Sequence, residues 1–159
     1  MTLLGKEHKD AIFELCQRLI EENARMSFTD IENIEHLEKW FNDTNVLLYG
    51  KLNEAGQLIA MVKATRGVGN KAHSCYLAAA THPDYRKESQ ASSLTNEVLD
   101  DLKNRGVLIA RTYIYSWNHA SIKTIEKCGF TLSGRVVMHE YDEITGDYID
   151  DLIYYKRLV

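Results

Sequence analysis

Thr81-His82-Pro83-Asp84-Tyr85-Arg86-Lys87-Glu88-Ser89-Gln90-Ala91-Ser92-Ser93-Leu94 closes one apolar run and opens another of different period. Before it, His73 to Thr81 reads as a strand. After the only proline of the chain, Ala91, Leu94, Val98 and Leu102 recur at helical spacing, so a helix is expected from about Ser89 to Asn104. A helix start carries backbone N–H groups without intrahelical partners at the positive end of the macrodipole. Small side chains at Ser89, Ala91 and Ser92 let a phosphate approach them, and Arg86 and Lys87 add positive charge beside it. A chain of formal net charge −4 then still offers one place for a polyanion.

Working outward, Ile12, Leu15, Cys16, Leu19 and Ile20 predict a first helix from about His8 to Asn23. Thr29-Asp30-Ile31-Glu32 has the form of a capping box, and Ile34, Leu37 and Phe41 give a second helix its apolar stripe. Asn45 to Lys51 and Gln57 to Thr65 read as strands joined by the turn residues Asn53-Glu54-Ala55-Gly56. Gly106 ends the helix that follows the quoted stretch, and Val107 to Tyr115 is the continuous apolar and β-branched run of a central strand. Asn118 to Cys128 reads as a short helix stopped by Gly129. Phe130 to Tyr141 and Asp147 to Arg157 close the chain as a hairpin around Thr145-Gly146. The order predicts one α/β domain over residues 1–159, a mixed, mostly antiparallel sheet flanked by helices.

Composition narrows the class. At 159 residues, 45% apolar and 26% charged, the chain is expected to form one globular domain. No run approaches the ~18 apolar residues of a membrane span, and Met1 to Asp10 lacks the apolar core of a secretion signal, so a cytoplasmic protein with no membrane partner is expected. Cys16, Cys75 and Cys128 are scattered and lie in apolar-patterned segments, which favours buried thiols over disulfides or a metal cluster. Mild acidity argues against a nucleic-acid partner.

A second segment adds chemistry. Asn118-His119-Ala120-Ser121-Ile122-Lys123-Thr124-Ile125-Glu126-Lys127-Cys128-Gly129-Phe130 follows a strand directly, with Asn118 placed as an N-cap and Gly129 as the left-handed residue that lets Phe130 fold back. Together the two segments resemble the GNAT superfamily of acyl-CoA-dependent N-acyltransferases. The family's loop, Arg-x-x-Gly-x-Gly/Ala after a Pro-x-Tyr lead-in, stands here as Pro83 to Ala91. Its Asn-x-x-Ser and Glu-Lys-x-Gly-Phe stand as Asn118, Ser121, Glu126, Lys127, Gly129 and Phe130. The element order fits over nearly the whole chain. The closing hairpin, with Gly134 and Gly146 to Leu152, looks like the branch that acetylates protein N-termini, antibiotics or small amines.

The resemblance implies acetyl-CoA as cosubstrate, bound by Thr81, Arg86, Lys87, Glu88, Ser89, Gln90, Ala91 and Ser92, with Asn118 and Ser121 on its other side and no metal. The pantetheine arm would run along Leu77 to Thr81, and backbone N–H groups of Ala79 and Ala80 would hold the oxyanion. The chain departs from the family at Ser89, where the loop usually has glycine, and at Ile125, where many relatives carry the tyrosine that protonates the departing thiolate. Tyr154 and Tyr141 are the first candidates to take its place, followed by Tyr115 and Tyr155. His82, His119, Glu140 and His73 are candidate bases by chain position. The acceptor is expected to be a small-molecule amine or a peptide N-terminus. Glu21, Glu22, Asp30, Glu32 and Glu35 make the first two helices acidic and favour a cationic one. Family habit implies a homodimer. The leading reading is an N-acetyltransferase working by direct attack. The alternative, motivated by Ser89 and Ile125, is a non-catalytic acyl-CoA-binding or regulatory module. A nucleotide-binding domain unrelated to coenzyme A lacks the Gly-rich loop it would need.

Overall fold

A run of only two residues, Thr2–Leu3 (β1), pairs with the strand that begins the main sheet and is too short to leave a periodic signal. The computed structural model describes residues 1–22 and 28–159, the side chains of Lys87 and Glu88 excepted. The elements in order are α1 (Lys9–Glu21), α2 (Glu38–Asn42), β2 (Val46–Leu52), β3 (Leu58–Arg66), β4 (Ser74–Thr81), α3 (Gln90–Asn104), β5 (Ile109–Tyr115), α4 (His119–Lys127), β6 (Thr131–Asp142) and β7 (Asp147–Arg157). All strands join one seven-stranded sheet in the order β1-β2-β3-β4-β5-β7-β6, and β4–β5 is its single parallel pair among the described residues.

The expected α/β architecture is the one observed. Boundaries agree to one or two residues, the usual scatter at fraying ends. Asn23, the expected end of the first helix, lies outside the described residues. The second helix departs most. Thr29–Glu32 does not cap it; the chain turns at 28–30 with Phe28 at φ 73°, and the helical run begins only after the extended Asn33. It opens as a 3-10 turn, Ile34–Leu37, before α2. Ile31 is spent on the core (5% exposed), and the Glu32 N–H donates to His36 Nδ1 instead of serving a helical turn.

Two apolar layers sandwich the sheet. Ile12, Leu15, Cys16 and Leu19 of α1 pack with Leu37, Leu48, Leu58, Met61 and Ala80 on one face. Leu94, Val98, Leu99 and Leu102 of α3 pack with Ile125, Cys128 and Phe130 on the other. Gly129 (φ 88°) ends α4: the Phe130 N–H reaches back to the Ile125 carbonyl at 3.1 Å, and Lys156 Nζ donates to the Cys128 carbonyl at 2.8 Å. All three cysteines are buried free thiols, and burial pushes that of Cys16 up to about 12. α1 covers only the β1–β4 half of its face. Over β5, β7 and β6 that face is open, with Tyr76 and Tyr113 exposed and their rings 5.2 Å apart.

Candidate active site

The site begins where β4 and β5 part. Their parallel pairing covers only Ser74↔Ile109, Cys75↔Ala110 and Tyr76↔Arg111. Thr112 Oγ1 then donates to the Leu77 carbonyl at 2.9 Å, and beyond that the strands diverge. β3 stays paired with β4 to the end, through Ala60↔Thr81. The His82 N–H donates to the Ile59 carbonyl, and the Gly67 N–H to the Ser74 carbonyl. Hydrogen-bonded and non-hydrogen-bonded pairs alternate along an antiparallel ladder. The amides of Ala78 and Ala80 therefore face β3, while those of Ala79 and Thr81 face the opening beside β5.

This parity corrects one expectation. Ala80 cannot offer its N–H to an oxyanion, because that N–H serves the β3 ladder; Ala79 can. The three alanines also divide by face. Ala78 and Ala80 pack in the α1 layer, whereas Ala79 is exposed on the α3 side of the cleft. Asn118 and Ser121 stand across the opening at the start of α4, and Asn118 Oδ1 accepts from the Ser121 N–H at 3.3 Å as an N-cap.

The loop after β4 is a 3-10 turn, Pro83–Glu88, which ends at Ser89 in the left-handed region (φ 57°, ψ 25°). Ser89 makes no side-chain cap to α3, so the first-turn N–H groups of that helix, those of Ala91 and Ser92 among them, find no acceptor from it. Ser92 Oγ donates to the Ser89 carbonyl at 3.1 Å. Serine in this conformation costs about 1 kcal/mol against glycine. Ser89→Gly is expected to raise stability by about 1 kcal/mol in denaturant melts while acetyl-CoA affinity is kept or improved.

Arg86 stands differently from expectation. Its guanidinium is bound at both ends by the Glu22 carboxylate at the end of α1, and Arg18 pairs with Asp84 at 3.1 Å. These contacts tie α1 to the loop and consume both the acid of the helix and the cation of the loop. Lys87 and Glu88 contribute described backbone only.

His82 is removed from the list of bases. It is fully buried; Nδ1 accepts from the Asp84 N–H at 3.2 Å, and Nε2 sits 3.3 Å from Glu14 Oε1 and 3.2 Å from Gln57 Nε2. Its role is to join α1, β3 and the loop. Tyr154 and Tyr141 are corrected as proton donors as well. Tyr154 lies in the α3-side core at 5% exposure, paired with Thr112. Tyr141 packs edge-on against Tyr148 near the tip of the β6–β7 hairpin, beyond the end of β5. Ile125, in the family's tyrosine position, is buried in the α3-side core and donates nothing.

What sequence reasoning named but could not place is Tyr115. The β4–β5 register sets it level with Ala80, directly across the opening, on the open face of the sheet. Burial first, then the neighbouring Glu140 carboxylate, push its hydroxyl pKa up to about 12. Asp151 is the cross-strand partner of Tyr115, and His139 Nε2 lies 3.9 Å from Asp151 Oδ2. Burial raises the Asp151 carboxyl above its ordinary value, and the neighbouring Glu140 adds to this. A bulge makes the cluster. From Val136↔Asp151 to Glu140↔Ile149, β6 advances four residues while β7 advances two, with Met138 left-handed (φ 51°) and its N–H held by Asp150 Oδ1 at 2.9 Å.

Asp151 carries a stability signature. A carboxyl whose pKa is raised in the fold favours the folded state while protonated, and that advantage is lost as pH rises through the raised value. Asp151→Asn is therefore expected to raise Tm at neutral pH, with the gain vanishing in acid where both side chains are neutral. Thermal melts across pH check this.

Residues 13–130 match the model of the Acetyltransferase (GNAT) family. The chain belongs to that family. Solved structures share its fold at low identity. An N-acetyltransferase from Staphylococcus aureus Mu50 aligns with TM-score 0.84 and 18% identity over 99% of this chain and 97% of that one. A ribosomal-protein-alanine N-acetyltransferase from Brucella melitensis aligns with TM-score 0.82 and 19% identity over 99% of each. A spermidine N-acetyltransferase variant from Vibrio cholerae aligns with TM-score 0.76 and 20% identity, covering 99% and 95%. No curated protein sequence matches the chain. As a GNAT domain, this chain has parted strands with a helix opening beside them, Ile125 on α4 where many relatives were expected to carry a tyrosine, and Tyr115 at the end of β5.

Proposed function

We propose that the protein is an N-acetyltransferase that moves an acetyl group from acetyl-CoA to a primary amine by direct attack. The observation that carries this reading is the opening between β4 and β5, with the amides of Ala79 and Thr81 turned into it and Tyr115 facing them. The residues present fit the cosubstrate. An extended pantetheine would pair with the Ala79 and Thr81 edge of β4. Its pyrophosphate would meet the first turn of α3 from Ser89 to Ser92, where the dipole and the N–H groups favour an anion. Asn118 and Ser121 would close the other side.

The chemistry follows from charge placement. The amine nitrogen bonds to the acetyl carbon, and the Ala79 N–H stabilises the oxyanion that develops. The C–S bond breaks, and Tyr115, whose raised pKa keeps it protonated, gives its proton to the leaving sulfur. Glu140, the carboxylate beside Tyr115, takes the proton of the attacking amine and returns one to the tyrosine. The products are the acetamide and the CoA thiol. The cluster of Tyr115, Glu140 and Asp151 favours turnover over a module that only binds acyl-CoA.

Coenzyme A release measured with a thiol reagent across a panel of primary amines tests the reading. Amine-dependent release with formation of the acetamide is the expected result. Tight acetyl-CoA binding with no release above hydrolysis for any amine would instead identify a binding module.

A further inference from the structure

Beside the cleft, on the open face of the sheet, lies a cavity of about 630 Å³ that the transfer chemistry does not use. Arg66, Lys71, His73 and Arg111 line it, Tyr76 and Tyr113 form its aromatic shelf, and no carboxylate borders it. Arg66 is committed, with Nε on the Ala72 carbonyl at 2.7 Å and a terminal nitrogen on the Arg105 carbonyl at 3.2 Å. Arg111 is not. It is half-buried in the middle of the sheet, and no carboxylate among the described residues pairs with it. A guanidinium placed so has lost part of its hydration without compensation.

The opposite end of the same strand carries the opposite charge. Arg111 and Tyr115 lie on one face of β5, four residues or about 13 Å apart. Around Tyr115 stand Glu140 and Asp151, and Asp151 is near enough to Tyr76 to raise its hydroxyl pKa after burial has done so. The open face is thus polarised along β5, acid where the acetyl group would be handed over and basic at the far end, with tyrosines between. Three of the five acids that pointed to a cationic acceptor are meanwhile spent. Glu22 holds Arg86, Glu21 holds Arg18, and Asp30 faces Lys63, whose burial lowers its pKa while Asp30 raises it.

We infer that the acceptor is an amine whose chain carries an anionic group about 10–13 Å from the nitrogen, the ammonium end drawn to Glu140 and Asp151 and the anionic end to Arg111. This rests on the N-acetyltransferase reading and names the acceptor class of that same site. An extended peptide N-terminus with an acidic fourth residue has this spacing, and so does a long-chain ω-amino acid.

Acetyl transfer to tetrapeptide amides that begin with three glycines and carry Asp, Asn or Lys fourth tests the inference. A matched ω-amino acid and its amide form the small-molecule arm. The expected order of kcat/KM is Asp over Asn over Lys, with roughly tenfold separating Asp from Asn. Arg111→Glu is expected to reverse it. Preference for the acid over its amide in only one arm assigns the source. Equal rates for acid and amide in both arms, or an unchanged order in Arg111→Glu, would overturn the inference. If no amine is acetylated, the transferase reading fails, and the cavity is judged by NMR titration with the N-acetylated Asp and Asn peptides. Shifts at Tyr76, Arg111 and Tyr113 with the Asp peptide alone uphold the anion site, and their absence removes it.

Discussion

Tyr115→Phe is expected to lower kcat by roughly 10²–10⁴-fold, with the KM for acetyl-CoA little changed and the melting curve close to that of the parent. The magnitude is that of general acid help to a leaving group. Tyr115 stands at the cleft end of β5, with Glu140 as the neighbouring carboxylate. Removing the hydroxyl leaves ring packing against Trp117, 6.3 Å away between centroids, in place. Because Tyr115 loses its proton only near 12, the parent rate is expected to show no fall from its ionisation below that region. Steady-state kinetics with coenzyme A release check both statements. A drop confined to KM would assign Tyr115 to acceptor binding instead.

Ala79→Pro is expected to cost roughly 10²–10³-fold in kcat while the protein stays folded. Proline removes one backbone N–H, and at this position the N–H takes no part in the β3 ladder. The neighbouring change separates the two effects. Ala80→Pro removes a ladder hydrogen bond in the middle of the sheet and is expected to destabilise the fold, seen as a lower Tm, before any question of rate arises. Equal behaviour of the two variants would mean that the parity of β4 has no catalytic meaning.

Much of the site was legible because it is local. The strand, the loop and the start of α3 are contiguous, and so are the Asn118 cap and the Gly129 stop of α4, so turn chemistry and helical spacing suffice to place them. What stayed hidden depends on register. Which of Ala78, Ala79 and Ala80 faces the cleft is settled by pairing with Lys63, Val62 and Met61, and a shift of one residue would reverse it. Tyr115 and Glu140 meet only because a bulge at Val136–Glu140 re-aims β6, and nothing in Val136-Val137-Met138-His139 marks a left-handed methionine. Arg86 reads as a phosphate ligand until Glu22, sixty-four positions earlier, is seen on its guanidinium. The split second helix has a local cause: Ile31 is drawn into the core before the helical turn can begin.

Amide hydrogen exchange read by NMR at Ala78, Ala79, Ala80 and Thr81, with and without acetyl-CoA, goes most directly to the claim that β4 lends alternate amides to the cosubstrate. Ala78 and Ala80 are expected to be protected throughout, and Ala79 and Thr81 to exchange freely until acetyl-CoA is added and then slow. Ala79 and Thr81 already protected in the free protein, or unmoved by saturating acetyl-CoA, would contradict it.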